Sequence, residues 1–165
     1  MAVVNTKSPG ITNRDAVPSV LNNSIIDRAQ VRLSKDRATL VSGDSIASVY
    51  RILSVQSNAR VDALRLTSDA ITTCAGDIGV YRNTRDGGAV VSVAYFGSAV
   101  SLATAQTNVD VTNESTTNTI AKQVQPLWQA LGFTTDPNTT FDICVTLTAA
   151  AGSGGDVALS ATFGE

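Results

Sequence analysis

The chain has 165 residues and a mass of 17.1 kDa, the length of one ordinary domain. It contains no histidine, which excludes Ser-His-Asp triads, Cys-His pairs and histidine-ligated metal sites. Charged residues make up only 16% of the chain, against about a quarter in typical globular proteins. The 20 Thr, 16 Ser and 10 Asn residues take their place, a composition that favours exposed strand faces and turns.

The formal net charge of −2 gives the chain as a whole no electrostatic footprint for nucleic acid or an anionic membrane. Residues 1–85 hold 11 Lys and Arg against 7 Asp and Glu, whereas residues 86–165 hold only Lys122 against 7 acids. The two halves of the sequence therefore carry net charges of opposite sign. This favours head-to-tail association or docking on a charged surface, unless folding interleaves the halves and cancels the field. No stretch approaches the ~18 apolar residues of a membrane-spanning helix, and residues 1–10 lack the apolar centre of a signal peptide.

Residues 1–29 show little periodicity and contain two prolines and many aliphatic residues. A disordered tail would contain fewer aliphatic residues and more charge, so we expect an ordered, extended N-terminal arm that lies along another surface. That surface belongs either to the chain's own folded domain or to a neighbouring subunit. The aliphatic residues expected to make this contact are Val3, Val4, Ile11, Val17, Val20 and Leu21.

Strand-like alternation begins near residue 30. Val31 and Leu33 alternate with polar neighbours, and Lys35-Asp36 is predicted to turn before residues 38–41 continue as a strand. The dense apolar run at 46–55 predicts a mostly buried strand. The run at 60–67 predicts another, with a bulge or bend where its apolar positions change face.

Residues 72–81 and 89–96 predict a β-hairpin whose tip, residues 82–88, ends in Asp-Gly-Gly. Arg82, Arg85 and Asp86 at this tip are possible loop contacts. Residues 98–111 fit either a strand or a short helix and stay unassigned. Cys74 and Cys144 fall in strands, and we expect two buried free thiols there.

A short helix interrupts the strands at about residues 125–132. Pro126 suits its first turn, Leu127, Trp128 and Leu131 supply an apolar stripe, and Gly132 suits its C-terminal stop. Alternation then resumes at residues 141–148 and 157–163, which predicts a final hairpin with one shared core face.

About eight strands with a turn signal every ten residues or so predict an all-β sandwich or barrel. The sequence contains no repeat, so we expect a single antiparallel domain at residues 30–165 behind the arm at 1–29.

Features that point to catalysis or to ligands are weak. The glycine-rich stretch 152–156 lacks the GK[ST] ending and the following helix of a phosphate-binding loop, so we interpret it as a flexible hairpin loop. No D-x-[DN]-x-[DN]-G calcium loop is present, although Asp110, Asp136 and Asp142 are possible ligands. Any close pair of carboxylates near strand ends could perform glycosidase chemistry; the candidates are Asp44, Asp62, Asp69, Asp77 and Asp142. We expect no enzyme, no cofactor and no metal site.

Several segments resemble virion proteins of tailed bacteriophages. They are residues 43–51 (GDSIASVYR) with 57–61 (SNARV), 68–72 (SDAIT) running to 77–81 (DIGVY), 126–132 (PLWQALG) and 147–152 (LTAAAG). Together they span most of the chain from about 42 to 159. The group is similar to the capsid cement, or decoration, proteins of short-tailed phages, some of which are jelly-roll sandwiches that sit on the head lattice as small oligomers.

This resemblance implies a jelly-roll-like sandwich that binds the outside of the capsid and cements adjacent subunits of the major capsid protein. It implies a homodimer or homotrimer on the virion surface, assembled in the bacterial host cytoplasm. Two alternatives stay open. One is a receptor- or glycan-binding module of a tail spike or fibre, with loops 82–88 or 98–108 as its site. The other is a polysaccharide-degrading enzyme on the same fold.

Overall fold

The computed structural model describes residues 6–22 and 30–164. Its helices are short: α1 (Pro9–Asp15), α2 (Ile120–Gln123), α3 (Leu127–Ala130) and one 3₁₀ turn (Thr84–Asp86). The strands are β1 (Val31–Leu40), β2 (Val49–Gln56), β3 (Arg60–Ser68), β4 (Ala75–Arg82), β5 (Val90–Ser101), β6 (Gln106–Asp110), β7 (Thr140–Ala149) and β8 (Gly155–Gly164).

The strands form two four-stranded antiparallel sheets, in the orders β1-β8-β3-β6 and β2-β7-β4-β5. Their pairing is nested, because β4 pairs with β5, β3 with β6, β2 with β7 and β1 with β8. A long antiparallel ribbon that folds at β4–β5 and rolls up gives this order, which is that of a jelly roll. The all-β, jelly-roll-like fold expected from the sequence is therefore confirmed.

The core lies between the two sheets, where the period-2 alternation of each strand places its apolar side chains. On β8 the inward residues are Val157, Leu159, Ala161 and Phe163, each at most 6% exposed. Phe96 and Phe141 are fully buried. Each such large side chain contributes roughly 1.5–3 kcal/mol to the free energy of unfolding.

The predicted helix near residues 125–132 is found as α3. Pro126 is its N-cap, and Gly132 follows its C-terminus with a φ of +88°. The N–H groups of Leu127 and Trp128 have no partner within so short a helix; they donate to the carbonyls of Ala59 and Ser57, at 2.8 and 2.9 Å. This helix therefore closes the turn between β2 and β3.

The edge strand β1 differs from the expectation. It runs without a break from Val31 to Leu40, so no turn occurs at Lys35-Asp36. Its register with β8 places Arg32 opposite the buried Phe163 on the core side of the sheet. The alternating aliphatic residues Val31 and Leu33 consequently face outward.

The final hairpin that the sequence predicts does not form. β7 pairs with β2 and β4, whereas β8 pairs with β1 and β3 in the opposite sheet. The two strands share the core but not a ladder, because alternation fixes which face of a strand is apolar and not which strand lies beside it.

The unassigned residues 98–111 form the end of β5, a turn and β6.

The hairpin of β4 and β5 is found as predicted, but it carries a wide bulge. Val80 pairs with Ser92 and Ile78 with Gly97, so one residue of β4 faces four residues of β5. Gly79 lies beneath this bulge, where an added Cβ would stand 2.1 Å from the Val93 carbonyl oxygen. The close approach of the β5 backbone therefore requires glycine at this position.

Candidate contact surfaces

The N-terminal segment, residues 6–22, contains a helix where an extended arm was expected. Ser8 caps α1 by accepting from the Ile11 N–H, and Pro9 occupies its first position, the two signals that start helices in water. The helix has no buried face and hence no apolar stripe, so hydrophobic periodicity does not predict it.

The aliphatic residues of this segment are exposed. Val17 is 98% exposed, Leu21 94%, Val20 55% and Ile11 37%. Val3 and Val4, the other two arm residues predicted to make contacts, lie outside the described residues. The exposed residues therefore make little contact with the rest of the described chain.

Hydrogen bonds hold the segment together internally. The Asn22 side chain accepts from the Asn13 amide at 3.0 Å and donates to the Gly10 carbonyl at 3.3 Å. The Val20 N–H donates to the Asn13 carbonyl. All hydrogen bonds that residues 6–22 make to described residues stay within this segment. It is a small unit held by its own hydrogen bonds, and its exposed surface includes the four aliphatic side chains.

The tip of the β4–β5 hairpin carries the three predicted loop contacts. Arg82 and Asp86 form an ion pair of 3.1 Å, and the Arg82 guanidinium also lies 5.5 Å from the centre of the Phe133 ring. Arg85 is exposed. The Asn83 side chain accepts from the Asp86 N–H at 2.8 Å and caps the 3₁₀ turn. The structure thus brings Arg82 and Asp86 together and leaves Arg85 facing solvent.

A side chain that the sequence analysis did not single out fixes this hairpin. Arg51, on β2, donates to the Arg82 carbonyl at 2.9 Å and to the Gly88 carbonyl at 2.7 Å. It also pairs with Asp142 at 2.8 Å and lies over the Tyr81 ring, 5.4 Å from its centre. The planar guanidinium is suited to several directed bonds at once, so the loop is held rigidly against the sheet.

An open polar groove of about 830 Å³ runs beside the loop, between residues 83–86 and the turn at 137–140. Hydroxyl, amide and charged side chains dominate its lining, and no aromatic ring takes part. Residues lining it include Ser54, Gln56, Asn83, Arg85, Asn138 and Thr140.

Another exposed aliphatic pair lies on and next to α2. Ile120 is 84% exposed and Val124, four residues later, is 64% exposed. Residues four apart lie on the same side of a helix, so the pair forms a small apolar projection. Four helical residues are too short a window for a periodic signal, so the sequence pattern does not predict this pair.

The carboxylates that were considered as catalytic candidates mostly have structural partners. Asp44 accepts from the Tyr50 hydroxyl, and this bond holds the pKa of its carboxyl below the usual value. Three others bond elsewhere: Asp69 accepts from the Asp156 N–H, Asp77 from the Ala99 N–H, and Asp142 from Arg51. Four of the five candidates therefore fasten a loop or a strand.

Two further carboxyls have lowered pKa values. Asp156 accepts from the Thr39 hydroxyl at 2.6 Å and pairs with Arg37. Asp110 bonds to the hydroxyl and, at 2.9 Å, the N–H of Thr112. In each case a hydrogen bond to the ionised form is the main cause.

Cys74 and Cys144 are both free and at most 1% exposed, as the sequence predicts. Burial raises the pKa of the Cys144 thiol to about 12 and also raises that of Cys74. Among residues 6–22 and 30–164, no three His, Cys, Asp or Glu side chains come close enough to hold a metal ion. None of the helices in these ranges has the length and apolarity that a membrane crossing requires.

No protein-family model and no curated protein sequence matches the chain. Its fold is similar to that of a chain in the cyanophage Pam1 capsid asymmetric unit, with a TM-score of 0.50 and 15% sequence identity. The similarity covers 82% of this chain and 85% of that one. The comparison therefore shows a similarity of fold between this chain and a protein of that capsid unit.

Proposed function

We propose that this chain is a noncatalytic structural protein of a phage virion. It binds the outside of the capsid and cements adjacent subunits of the major capsid protein. It acts as a homodimer or homotrimer, and its place is the virion surface. The fold shared with a chain of a cyanophage capsid unit supports a virion role. The resemblance of segments 43–51 and 126–132 to phage cement proteins supports the cementing role.

The observation that carries the proposal is that exposed aliphatic side chains lie next to one another in small groups. Single surface hydrophobic residues are normal and need no partner. Here Val17 and Leu21 are 98% and 94% exposed in one folded segment, and Val31 and Leu33 are 73% and 69% exposed on one strand face. Such sets bury apolar area only when another molecule covers them.

A cement protein binds a shell through many copies, so modest contacts at each point add up to persistent attachment. That mode of action depends on area and shape rather than on reactive groups. The N-terminal segment, with Ile11, Val17, Val20 and Leu21 outward, offers a contact that leaves the sandwich itself unchanged. The rigid loop with Arg82, Arg85 and Asp86 offers a second, charged contact.

The test adds purified protein to phage heads that lack it and follows the survival of the heads on heating. The proposal expects saturating protein to raise survival, and equal survival with and without it would reject cementing. The double variant V17D/L21D should bind heads weakly, since it places two charges where apolar contact is expected. The variant S19D, in the same exposed stretch, should bind as the unchanged protein does.

Deleting residues 1–20 should also weaken attachment and leave the sandwich folded, because the segment's hydrogen bonds to described residues are internal. Circular dichroism and the melting temperature verify the fold of each variant. Undiminished attachment of the deletion variant would show that the segment is not a capsid contact.

The polar groove beside the loop favours a second candidate, a glycan- or receptor-binding module of a tail spike or fibre. Hydroxyl and amide side chains suit sugar hydroxyl groups, although the lining supplies no ring on which a sugar could stack. Copy number separates the candidates. Hundreds of copies per virion favour cementing, whereas a handful, together with binding of the isolated protein to host polysaccharide, favours the tail module.

A further inference from the structure

One buried tyrosine has a hydroxyl group without a partner in the described chain. Tyr95, on β5, is only 2% exposed, and its ring packs edge-on against Phe96 with the ring centres 4.8 Å apart. Among residues 6–22 and 30–164, no group forms a hydrogen bond with its hydroxyl. The other buried tyrosine, Tyr81, bonds to the Thr146 hydroxyl at 2.7 Å. Buried polar groups are nearly always paired, so the Tyr95 hydroxyl requires an explanation.

Tyr95 lines an open recess of about 320 Å³ between β5, α2 and the turn that follows α3. Val91, Ala130 and Leu131 form the apolar part of its lining. This volume is at the lower end of the range for ligand sites, roughly 300–1,000 Å³. A small molecule in so open a recess would stay largely exposed to water. The recess is better suited to a single side chain that another protein presents.

Lys122, on α2, contributes a positive charge to the same recess. Its side chain is half-buried, and its Nζ atom lies 5.8 Å from the centre of the Tyr95 ring. That distance is near the outer limit of an attractive contact between a cation and an aromatic ring. No carboxylate in the described ranges forms an ion pair with Lys122. The ammonium group is therefore available to an anion that enters the recess.

The lining is suited to a carboxylate on an aliphatic stem. Burial raises the pKa of Tyr95 to about 12, so its hydroxyl is protonated at neutral pH and can donate. The phenol and the Lys122 ammonium supply donors for the two oxygens of a carboxylate, and such charge-assisted bonds are strong. The hydroxyl groups of Ser92 and Thr117 add polar groups to the lining. The apolar part of the lining matches methylene groups, and a glutamate side chain has both parts.

We propose that the recess between Tyr95 and Lys122 receives an acidic side chain, together with its aliphatic stem, from a partner protein. The outer side of α2 supports a protein as the occupant, because Ile120 and Val124 are 84% and 64% exposed there. A protein that covers α2 would bury both residues as well as fill the recess. The inference deepens the proposed function, and the identity of the partner as a capsid subunit rests on that function.

The test titrates the full-length protein with a short blocked peptide, Leu-Glu-Leu, and with the matched peptide Leu-Gln-Leu. Nuclear magnetic resonance follows the Tyr95 ring and the methyl groups of Val91 and Leu131. The acidic peptide should shift these signals with a dissociation constant of about 1 mM, and the neutral peptide should bind about tenfold more weakly or worse. K122Q and Y95F should each weaken binding of the acidic peptide about tenfold. K35Q, which changes an exposed lysine on the opposite sheet, is the matched control and should bind normally.

Melting temperatures give a readout that does not depend on any ligand. Y95F removes a hydroxyl that has no partner in the described chain, so its melting temperature should stay unchanged or rise. Y81F removes a paired hydroxyl and leaves that of Thr146 without its partner, so its melting temperature should fall. A similar fall in Y95F and Y81F would overturn the inference, because the Tyr95 hydroxyl would then be satisfied inside the folded protein.

Three further results would count against the inference. They are the absence of any shift at about 10 mM acidic peptide, equal binding of the two peptides, and acidic binding that K122Q and Y95F leave unchanged. Attachment to phage heads is measured separately, and K122Q and Y95F should attach more weakly. Normal attachment of both variants would also overturn the inference. Binding of the acidic peptide by a protein that does not attach to heads contradicts only the proposed function.

Discussion

Arg51 and Asp142 form an ion pair of 2.8 Å across 91 positions of the chain, with side chains 28% and 13% exposed. Substituting Arg51 with Ala removes the positive partner of the Asp142 carboxylate, which is largely shielded from solvent. It also removes the hydrogen-bond donors to the carbonyls of Arg82 and Gly88. We expect R51A to lower the free energy of unfolding by about 2–3 kcal/mol, below the full range for a completely buried pair. Urea unfolding followed by circular dichroism measures it.

Two companion variants sharpen this prediction. R51K keeps the charge but loses the fork that reaches both carbonyls, so it should recover only part of the loss. R85A removes an exposed arginine of the same loop and should change stability by less than about 0.5 kcal/mol. Equal losses in R51A and R85A would mean that the network around Arg51 does not hold the loop.

Gly79 is expected to be intolerant of any side chain. In G79A the new Cβ would stand 2.1 and 2.4 Å from the carbonyl oxygens of Val93 and Ser92, so the β5 bulge must move. We expect a loss above roughly 3 kcal/mol or an insoluble protein. The matched variant G43A meets no atom within 4 Å and has a φ of +94°, so its cost is backbone strain of about 1 kcal/mol. Similar melting temperatures for the two would contradict the bulge geometry.

Stability should fall in acid. The carboxyls of Asp44, Asp110 and Asp156 have pKa values below the ordinary 3.8 in the folded protein. As pH falls, the unfolded chain therefore binds protons at these carboxyls before the folded protein does. Their contribution to the free energy of unfolding is fully present above about pH 4 to 5 and is lost as pH falls through the lowered pKa values. Urea midpoints between pH 7 and 3 test this, and D156N should weaken the dependence. Midpoints that rise as pH falls from 5 to 3 would contradict it.

Both thiols should resist labelling in the folded protein. Cys144 has a pKa raised to about 12 by burial, and Cys74 is 1% exposed, so at pH 8 neither presents an accessible thiolate. We expect no reaction with a thiol-specific reagent in buffer and two equivalents in denaturant. Rapid labelling of one thiol without denaturant would show local opening of its strand.

Alternation and turn residues were enough to predict the all-β class and the 82–88 hairpin. They also indicated the helix near Trp128. They could not predict which strands pair with each other. The strand at 157–163 has the same pattern whether it pairs with β7 or with β1 and β3. The long-range partner is chosen by packing of the whole core, which local spacing does not encode.

The contact surfaces were predictable only in part. The exposure of Val17 and Leu21 agrees with an aliphatic segment that does not join the core. The outward position of Val31 and Leu33 was not predicted, because alternation marks an apolar face without saying which side of the sheet it occupies. The role of Arg51 could not be predicted because its three hydrogen-bond partners are distant in sequence.

The nested strand order has a consequence during synthesis on the ribosome. One central strand of each sheet, β7 in one and β8 in the other, is among the last two of the eight strands to be translated. Until residue 140 emerges, the nascent chain can form only the β4–β5 and β3–β6 ladders, and β1 and β2 must wait without neighbours. A chain that ends before residue 155 would lack β8, which leaves β1 unpaired and exposes apolar core surface, so such fragments should aggregate rather than fold.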